Sequence, residues 1–371
     1  MAGPTTHARA SWVTDRVTAL PEVWSLVALH LGLVGAWRLM LVCKAARLGA
    51  KDFLKTLPGL VVSGGVVGAY GVAVTQVWRL HMPTLRWEVM PALVDACSDH
   101  ACCAVRNGLV VIGGSTIHRN MIGSVEMLAE GEGSFTSQPP LSCGGMAGAV
   151  AIAVKESGST AGQVLLLGGY GEDYLTVSTD FLVDLATGVC TPQPNLLCER
   201  YYFTAARLPD GGIVCAGGLD FDDKVLSSAQ VCEPPTLGVM DAAWTWRGLP
   251  AMSVARDGCG GCVLSDGRFA VLGGENGNEV PLSSCEALIF DHDEHWEPMP
   301  PMRFARSHFA CAAVAECIIV GGGYGRLGRT PNGAVLLRSA EVFDEVLGRW
   351  LHLPCDLPYN GGLMGMGSAL I

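Results

Sequence analysis

Charged side chains are scarce in this chain, since Asp, Glu, Lys and Arg together make up 16% of its 371 residues. The charges that are present sum to a formal net charge of −11. A surface of that sign repels a phosphate backbone, and no stretch combines a Lys/Arg stripe with interleaved aromatic residues. We therefore do not expect nucleic acid to be a partner.

The sequence also lacks a run that is both long and apolar enough for a bilayer. The uncharged stretch 23–37 is shorter than the roughly 20 residues that a helical span needs. The stretch 57–78 is long enough, but it contains five glycines and a proline and has a β-branched bias. We therefore expect strands there and no contact with a membrane.

Signatures of catalysis and of metal binding are missing or isolated. The sequence has no Gly-x-Ser-x-Gly elbow and no Gly-x-x-x-x-Gly-Lys phosphate loop. Cys259 and Cys262 have redox spacing, but no helix start follows them and no second pair exists to complete a zinc site. The His-Asp-Glu-His cluster at 292–295 falls in a predicted turn. We expect no catalytic residue, no metal and no cofactor, and hence no enzyme.

The cysteines give no sign of a disulfide framework. Their number, 15, is odd, and no N-terminal signal opens the sequence. Most lie among small residues of predicted strands, as Cys102 and Cys311 do, where a thiol behaves as a small buried hydrophobe. We expect reduced thiols and a cytoplasmic or nuclear location.

Glycine, in contrast, is abundant, and its 48 copies include a repeated pair. A short apolar run ending in Gly-Gly occurs six times, with the first glycines at positions 64, 113, 168, 217, 273 and 321. Subtraction gives spacings of 49, 55, 49, 56 and 48 residues. A repeat of about 50 residues is typical of the four-stranded blades of a propeller.

A second landmark follows each glycine pair, namely a residue placed four positions before a proline. Four copies have tryptophan there, the second has Phe135, and the third departs with Cys190. Together with a Glu-aromatic-Asp strand between the landmarks, these features resemble the kelch family over residues 57–371. The resemblance implies an all-β, six-bladed kelch β-propeller. The tryptophans, which would fill the wedges between blades, are Trp87, Trp246, Trp296 and Trp350.

The two ends of the repeat region predict how the ring closes. The first glycine pair lacks a small-residue strand before it, whereas the last proline is followed by one at 361–371. We expect this C-terminal strand to complete blade one and to leave no open sheet edge. The predicted organisation is a disordered or loosely ordered segment 1–17, a helical module 18–56 and the propeller 57–371.

The module 18–56 has apolar residues at helical spacing, and Pro21 suits a first helical turn. Its Leu20-Pro21 opening, Leu31 and the run 42–44 (Val-Cys-Lys) resemble the F-box, a family that docks the Skp1-like adaptor of a cullin-type ubiquitin ligase. The alternative is a helical cap that packs on the first blade. An apolar surface left in solvent would indicate docking. The residues that the resemblance implies for adaptor binding are Leu20, Pro21, Val27, Leu31, Leu39, Val42 and Cys43.

One face of the propeller is the expected binding rim. The loops that join the second and third strands share this face with the connections between blades. They carry acidic residues in some blades and arginines in others, which predicts recognition of a mixed-charge peptide segment by arginines that fork onto carboxylates. The predicted rim residues are Arg200, Tyr201, Asp222, Asp223, Arg256, Glu275, Asn276, Arg306, Arg326 and Arg329.

These observations lead to one main hypothesis and two alternatives. The main hypothesis is a substrate-recognition subunit of an SCF-type (cullin-RING) ubiquitin ligase, with the F-box docking the adaptor and the kelch rim binding a target for degradation. The first alternative is a kelch protein-interaction scaffold without a ligase role. The second is a kelch-fold enzyme with an axial site. Three convergent His, Tyr or carboxylate groups in the channel would favour it, and a plug of Ala, Gly and Val would exclude it.

Overall fold

The computed structural model describes residues 18–68, 71–106, 108–116, 118, 120–154, 162–171, 176–233, 244–326 and 334–371. The segment 1–17, predicted to be loosely ordered, lies outside the described residues. Within these residues the regular structure consists of two helices, α1 (Pro21–Leu39) and α2 (Lys44–Thr56), followed by β-strands. Among the described helices, none has the length and apolarity needed to cross a bilayer.

Six antiparallel sheets of four strands follow the helices, so the prediction of an all-β, six-bladed propeller is confirmed. Within each blade the four strands neighbour one another in a simple meander. Blade one consists of Gly367–Leu370, Leu60–Ser63, Val77–His81 and Arg86–Met90. Blade two consists of Ala101–Val105, Gly108–Ile112, Val125–Ala129 and Thr136–Gln138, and blade three of Val150–Ala153, Gln163–Leu167, Phe181–Asp184 and Cys190–Pro192. Blade four consists of Thr204–Arg207, Ile213–Ala216, Ala229–Glu233 and Thr245–Leu249, and blade five of Gly260–Val263, Phe269–Leu272, Cys285–Ile289 and His295–Met299. Blade six consists of Ala310–Val314, Cys317–Gly321, Ala340–Asp344 and Arg349–Leu353.

Among the described residues, three short two-stranded ribbons lie at the loops of the blades. They pair Val66–Val67 with Val72–Ala73, Met146–Ala147 with Tyr170–Gly171, and Tyr324–Arg326 with Ala334–Leu336. All three ribbons include residues of the loops between second and third strands. These loops are therefore shaped by backbone hydrogen bonds and can hold side chains in fixed positions.

The ring is closed by the C-terminal strand Gly367–Leu370, which pairs antiparallel with Leu60–Ser63. In this register Leu370 lies opposite Leu60, and Gly367 lies opposite Ser63. The first strands of successive blades contact one another all the way round, including the C-terminal strand in blade one. The first strands therefore line the axis of the propeller.

The glycine pairs join each blade to the next. The second glycine donates its N–H to a carbonyl of the following inter-blade connection, as Gly218 does to Arg256 at 2.9 Å. The first glycine has positive φ, and a Cβ on Gly217 would lie 2.4 Å from the same carbonyl oxygen. In blade six the equivalent pair is Gly322-Gly323, one residue later than predicted, because Gly321 still belongs to the second strand.

The landmark tryptophans tie each blade to the preceding one. The indole N–H of Trp296 donates to the Pro250 carbonyl at 2.8 Å, and Trp350 donates to Pro300 at the same distance. In blade three, where Cys190 replaces the aromatic residue, the backbone itself lies close to the chain that follows blade two. A Cβ on Gly188 would lie 2.2 Å from the carbonyl oxygen of Pro140.

The helical module packs on the propeller face opposite the predicted rim. Its buried side chains share a core with residues of blades one and six. The Trp37 indole donates to the Met82 carbonyl at 2.9 Å, and the Leu33 N–H lies 3.4 Å from the Ala315 carbonyl oxygen. Met82 lies in the turn between third and fourth strands, and Ala315 lies in the turn between first and second strands. Both kinds of turn face away from the rim loops.

Candidate functional site

The outer surface of the helical module is unusually apolar. Fifteen large hydrophobic side chains are exposed among the described residues, and seven of them lie between positions 20 and 48. Leu41, at 83% exposure, is the most exposed of the fifteen. The other six are Leu20, Leu26, Leu29, Leu31, Val42 and Leu48. Exposed aliphatic side chains at this density indicate a docking surface.

The predicted adaptor-binding residues divide between this surface and the interior. Leu20, Leu31, Val42 and Cys43 are exposed, and Pro21 is partly exposed. Leu39 is only 8% exposed, which corrects its assignment to an adaptor surface. It belongs to the core that the module shares with the propeller, and Val27 packs partly buried against the same core. The module is thus both a cap on its inner side and an open apolar surface on its outer side.

Three predicted rim residues, Arg200, Arg256 and Arg306, are at most 1% exposed, so their assignment to target binding is wrong. Each guanidinium donates to backbone carbonyls where the second strand of its own blade ends. Arg306, for example, donates to the Gly322 carbonyl at 2.7 Å and to Glu341 Oε1 at 2.7 Å. A buried guanidinium needs such acceptors, and in this fold the end of each glycine-pair strand supplies them.

The acidic rim residues remain accessible to differing degrees. Asp222 and Asp223 are exposed, and the Tyr201 hydroxyl donates a hydrogen bond to Asp223. Glu275 is half-buried and accepts a hydrogen bond from the Ser307 hydroxyl at 3.1 Å. The structure therefore brings Tyr201 and Asp223 together, and it places Glu275 at the border between blades five and six.

The remaining predicted rim residues stabilise loops. Asn276 accepts from the backbone N–H of Asn278 at 3.0 Å through its side-chain oxygen, which fixes a turn in blade five. Arg326 donates to the Glu279 carbonyl at 3.0 Å and so connects the loops of blades six and five. Arg329 lies outside the described residues.

The centre of the rim face contains a closed collar of backbone hydrogen bonds. Each of six blades contributes one residue, and each N–H donates to the carbonyl of the preceding member at 2.7–3.0 Å, with Asp99 donating to Gly365 to close the ring. All six have left-handed backbones, with φ between 52° and 64°. The members are Asp99, Gly148, Tyr202, Gly258, His308 and Gly365. We call this ring the axial collar.

Side chains and glycines alternate around the axial collar. Asp99, Tyr202 and His308 each lean over the glycine of the preceding blade. A Cβ on Gly365 would lie 2.7 Å from Asp99 Oδ1, and a Cβ on Gly258 would lie 2.7 Å from His308 Nε2. The three glycines therefore make room for three side chains, which converge on the axis.

These three side chains line a cavity of about 120 Å³ at the axis. The rings of Tyr202 and His308 meet edge to face, with centroids 4.8 Å apart. The Tyr202 hydroxyl lies 3.1 Å from the Tyr170 hydroxyl, and Asp257 Oδ2 lies 4.0 Å from His308 Nε2. The channel mouth is thus polar and contains a carboxylate, a phenol and an imidazole.

The two carboxyl groups at the cavity have raised pKa values, chiefly because they are removed from water. Burial raises the pKa of Asp99, and the facing His308 only partly offsets this effect. Burial also raises the pKa of Asp257 to about 6, with a further increase from Glu275 and a decrease from His308. Both carboxyl groups would gain from an additional cation, which would stabilise their charged forms.

Sequence reasoning did not single out Asp99 or His308. A signal was nevertheless present in the inter-blade connections. In each connection one residue has a carbonyl that accepts a hydrogen bond from a glycine pair, and the collar residue comes two positions after it. In alternate blades the collar residue is glycine. Aligning the six connections on this carbonyl would have exposed the alternation of glycine with Asp99, Tyr202 and His308.

Comparisons with known proteins agree on the repeat type. No family model matches the sequence. The F-box/kelch-repeat protein At1g16250 of Arabidopsis thaliana is 31% identical over 121 residues, which are 29% of this chain and 30% of that protein. Kelch-like protein 34 of Homo sapiens is 32% identical over 133 residues, 32% of this chain and 20% of that protein. The matches thus span less than a third of either relative.

Two further comparisons cover most of the chain. Kelch-like protein terF of Aspergillus terreus is 23% identical over 347 residues, 88% of this chain and 71% of that protein. Among solved structures, YjhT aligns with a TM-score of 0.58 and 12% identity, covering 76% of this chain and 95% of that chain. The kelch-repeat names of these relatives and the six blades together support a kelch-type propeller.

Proposed function

We propose that this kelch-repeat propeller is the substrate-recognition subunit of an SCF-type ubiquitin ligase. The helical module would dock a Skp1-like adaptor, and the rim face would bind a target protein for ubiquitination and degradation. The observation that carries the proposal is the exposed apolar surface of a module whose inner side is already anchored to the propeller. In this proposal the chain is a non-catalytic receptor located in the cytoplasm or nucleus.

The positions of the two surfaces support this division of labour. The module covers turns of blades one and six on one face, whereas the axial collar and the rim loops lie on the other. A partner docked on the module therefore leaves the rim open. A relative named as an F-box/kelch-repeat protein adds weight to this arrangement.

The test measures the binding of a purified Skp1-like adaptor to the full chain by calorimetry or pull-down. We expect Leu31→Asp with Val42→Asp to weaken the complex at least about tenfold, because a charge placed in an apolar interface must be desolvated. The matched control is Val189→Asp in blade three, since Val189 is 51% exposed and Leu31 is 50% exposed. A wild-type chain that binds no adaptor, or a double variant that binds it as well as the control does, would contradict the proposal.

The same experiment separates the first alternative, an interaction scaffold without a ligase role. A scaffold would recover partner proteins in the pull-down but no adaptor. The axial cluster also favours a second candidate, a kelch-fold enzyme with an axial site, because Asp99, Tyr202 and His308 are three convergent groups of the required kinds. An enzyme would release its axial ligand chemically changed, which mass spectrometry would detect.

A further inference from the structure

We infer that the axial cavity binds the cationic end of a lysine or arginine side chain that projects from the target protein. This inference rests on the proposed function, in which the rim face receives a target. The sequence predicted recognition of a mixed-charge peptide segment, whereas the axial cavity would select a positively charged side chain.

The first support is the balance of charge on the rim face once the three buried arginines are set aside. The buried Asp180 is set aside as well. Among the other described residues of the rim loops and inter-blade connections, acidic side chains outnumber basic ones. The acids are Asp95, Asp99, Glu199, Asp220, Asp222, Asp223, Asp257, Glu275, Glu279 and Asp356. The bases are Lys224, Arg303, Arg326 and Arg338. A field of this sign attracts cationic segments toward the axis.

The second support is the hydrogen-bonding state of the collar. All six collar N–H groups already donate to collar carbonyls, so the backbone offers no donor to an anion at the axis. The side chains, in contrast, offer acceptors. Asp99 is half-buried and accepts a hydrogen bond from the Ser98 hydroxyl at 3.1 Å through Oδ2, while its Oδ1 atom extends over Gly365 at the cavity lining. An entering ammonium or guanidinium group would find the Asp99 carboxyl group as an acceptor, whereas an entering carboxylate would meet that acidic group beside the Tyr202 hydroxyl and the His308 imidazole.

The third support is the group of aromatic rings beside the carboxyl groups. Tyr170, Tyr201 and Tyr202 contact one another with ring centroids 4.9–5.9 Å apart, and Tyr202 also contacts His308. Tyrosine rings attract cations through the negative potential of their faces. Of the three rings, that of Tyr202 lies in the cavity lining with Asp99, and a carboxyl group beside an aromatic ring suits an organic cation.

The size of the cavity limits what can enter it. A space of about 120 Å³ accepts the end of one side chain but no folded element. The target must therefore present a lysine or arginine on an extended segment or loop. The surrounding acidic loops, including exposed Asp222 and Asp223, would then contact the neighbouring residues of that segment.

Small amides of single amino acids test the inference directly. The probes are N-acetyl-lysine methylamide, N-acetyl-arginine methylamide and the neutral N-acetyl-norleucine methylamide, titrated into the full chain by calorimetry or NMR. We expect at least one cationic probe to bind about tenfold or more tightly than the norleucine probe. Whichever cation binds better identifies the side chain. Equal binding of all three, or binding of none, would overturn the inference.

Variants locate the binding. Asp99→Asn keeps the shape of the side chain and removes its charge, so we expect at least about fivefold weaker binding of the preferred probe. Asp293→Asn is the matched control because Asp293 lies exposed on the opposite face, in the turn between the third and fourth strands of blade five, and we expect the affinity of this variant for the probe to stay within about twofold of the wild type. If Asp99→Asn does not fold, Asp257→Asn serves in its place. Unchanged binding in the charge-removing variant, or equal loss in the control, would refute the site.

Two readouts keep this result separate from neighbouring proposals. The probe recovered after incubation should have an unchanged mass, and a changed mass would replace binding by catalysis. Adaptor binding is measured on the same preparations. A chain that binds the cationic probe but no adaptor would refute the ligase proposal and leave the axial site intact.

Discussion

Blades one to three and blades four to six hold the same backbone geometry with different side chains. Two positions before the axial collar, blades four to six have Arg200, Arg256 and Arg306, whereas blades one to three have Leu363, Cys97 and Met146. All six residues are buried, and all six carbonyls accept from a glycine pair of the preceding blade at 2.7–2.9 Å. The arginines are therefore not required by the backbone. They are an additional polar tie within one half of the ring.

The arginine-bearing half contains a second difference that makes it experimentally useful. Glu286 and Glu341 face the arginines of blades five and six, each at 2.7 Å, whereas blade four has Gln230 at the corresponding place. One half of the ring thus includes two ion pairs and one arginine without a carboxylate partner at that place. Variants at these positions separate the contribution of charge from that of backbone hydrogen bonds.

The largest effect is expected for Arg306→Met, which gives blade six the residue type that blade three has naturally. The substitution leaves Glu341 buried without its cation, so we expect the free energy of unfolding to fall by about 3–5 kcal/mol. Urea denaturation measures the change. Adding Glu341→Gln should recover most of the loss, and a double variant as unstable as the single one would contradict the ion-pair explanation.

The boundary between the two halves should respond to pH through Asp180. This carboxyl group accepts hydrogen bonds from Gly168 and from the Trp246 indole, and burial raises its pKa to about 7. Because the folded state holds this proton more tightly than the unfolded state does, the contribution of Asp180 to the free energy of unfolding is largest below pH 4 and is lost as the pH rises through about 7. We expect a contribution of about 2–4 kcal/mol. The difference between the wild type and Asp180→Asn, followed from pH 4 to 8, should show this slope, and a flat difference would refute it.

A smaller effect is expected for Arg200→Met in blade four. This change removes hydrogen bonds to the Gly217 and Ser228 carbonyls but leaves no carboxylate unpaired, because Gln230 is neutral. The expected loss is about 1–3 kcal/mol. Denaturation under the conditions used for Arg306→Met provides the comparison. Equal losses for the two variants would show that charge contributes nothing to the distinction between blades.

The smallest effect is expected for Trp350→Phe. Phenylalanine retains a ring beside Phe343, whose centroid lies 5.3 Å from that of Trp350, but it removes the N–H that donates to Pro300. We expect a loss of about 1 kcal/mol, the usual value of one hydrogen bond. A variant as stable as the wild type would mean that the indole hydrogen bond contributes nothing in blade six, as in blades two and three, which lack tryptophan at this landmark.

The features that could be predicted from the sequence are those imposed locally. Each blade has a glycine that must adopt positive φ against a neighbouring carbonyl, and four of the six blades have a tryptophan that reaches the preceding blade. These two repeated features were enough to predict the number of blades. The one shift, from Gly321 to Gly322, arose where three glycines follow one another and composition alone does not fix which pair ends the strand.

The features that sequence reasoning missed depend on contacts between distant segments. Whether Arg306 points to solvent or into a blade depends on Glu341 and on the Gly322 carbonyl, and neither is adjacent in the chain. The axial site was harder still to predict, because each collar residue comes from a different blade. Likewise, helical spacing indicated the module but did not tell that Leu39 faces the propeller while Val42 faces solvent.

The claim that two opposite faces act independently is tested most directly by one set of titrations. Val42→Asp and Asp99→Asn are each titrated with the purified adaptor and with the preferred cationic probe. We predict that Val42→Asp loses the adaptor and keeps the probe, while Asp99→Asn keeps the adaptor and loses the probe. A variant that loses both ligands while remaining folded, or one that loses neither, would contradict the account.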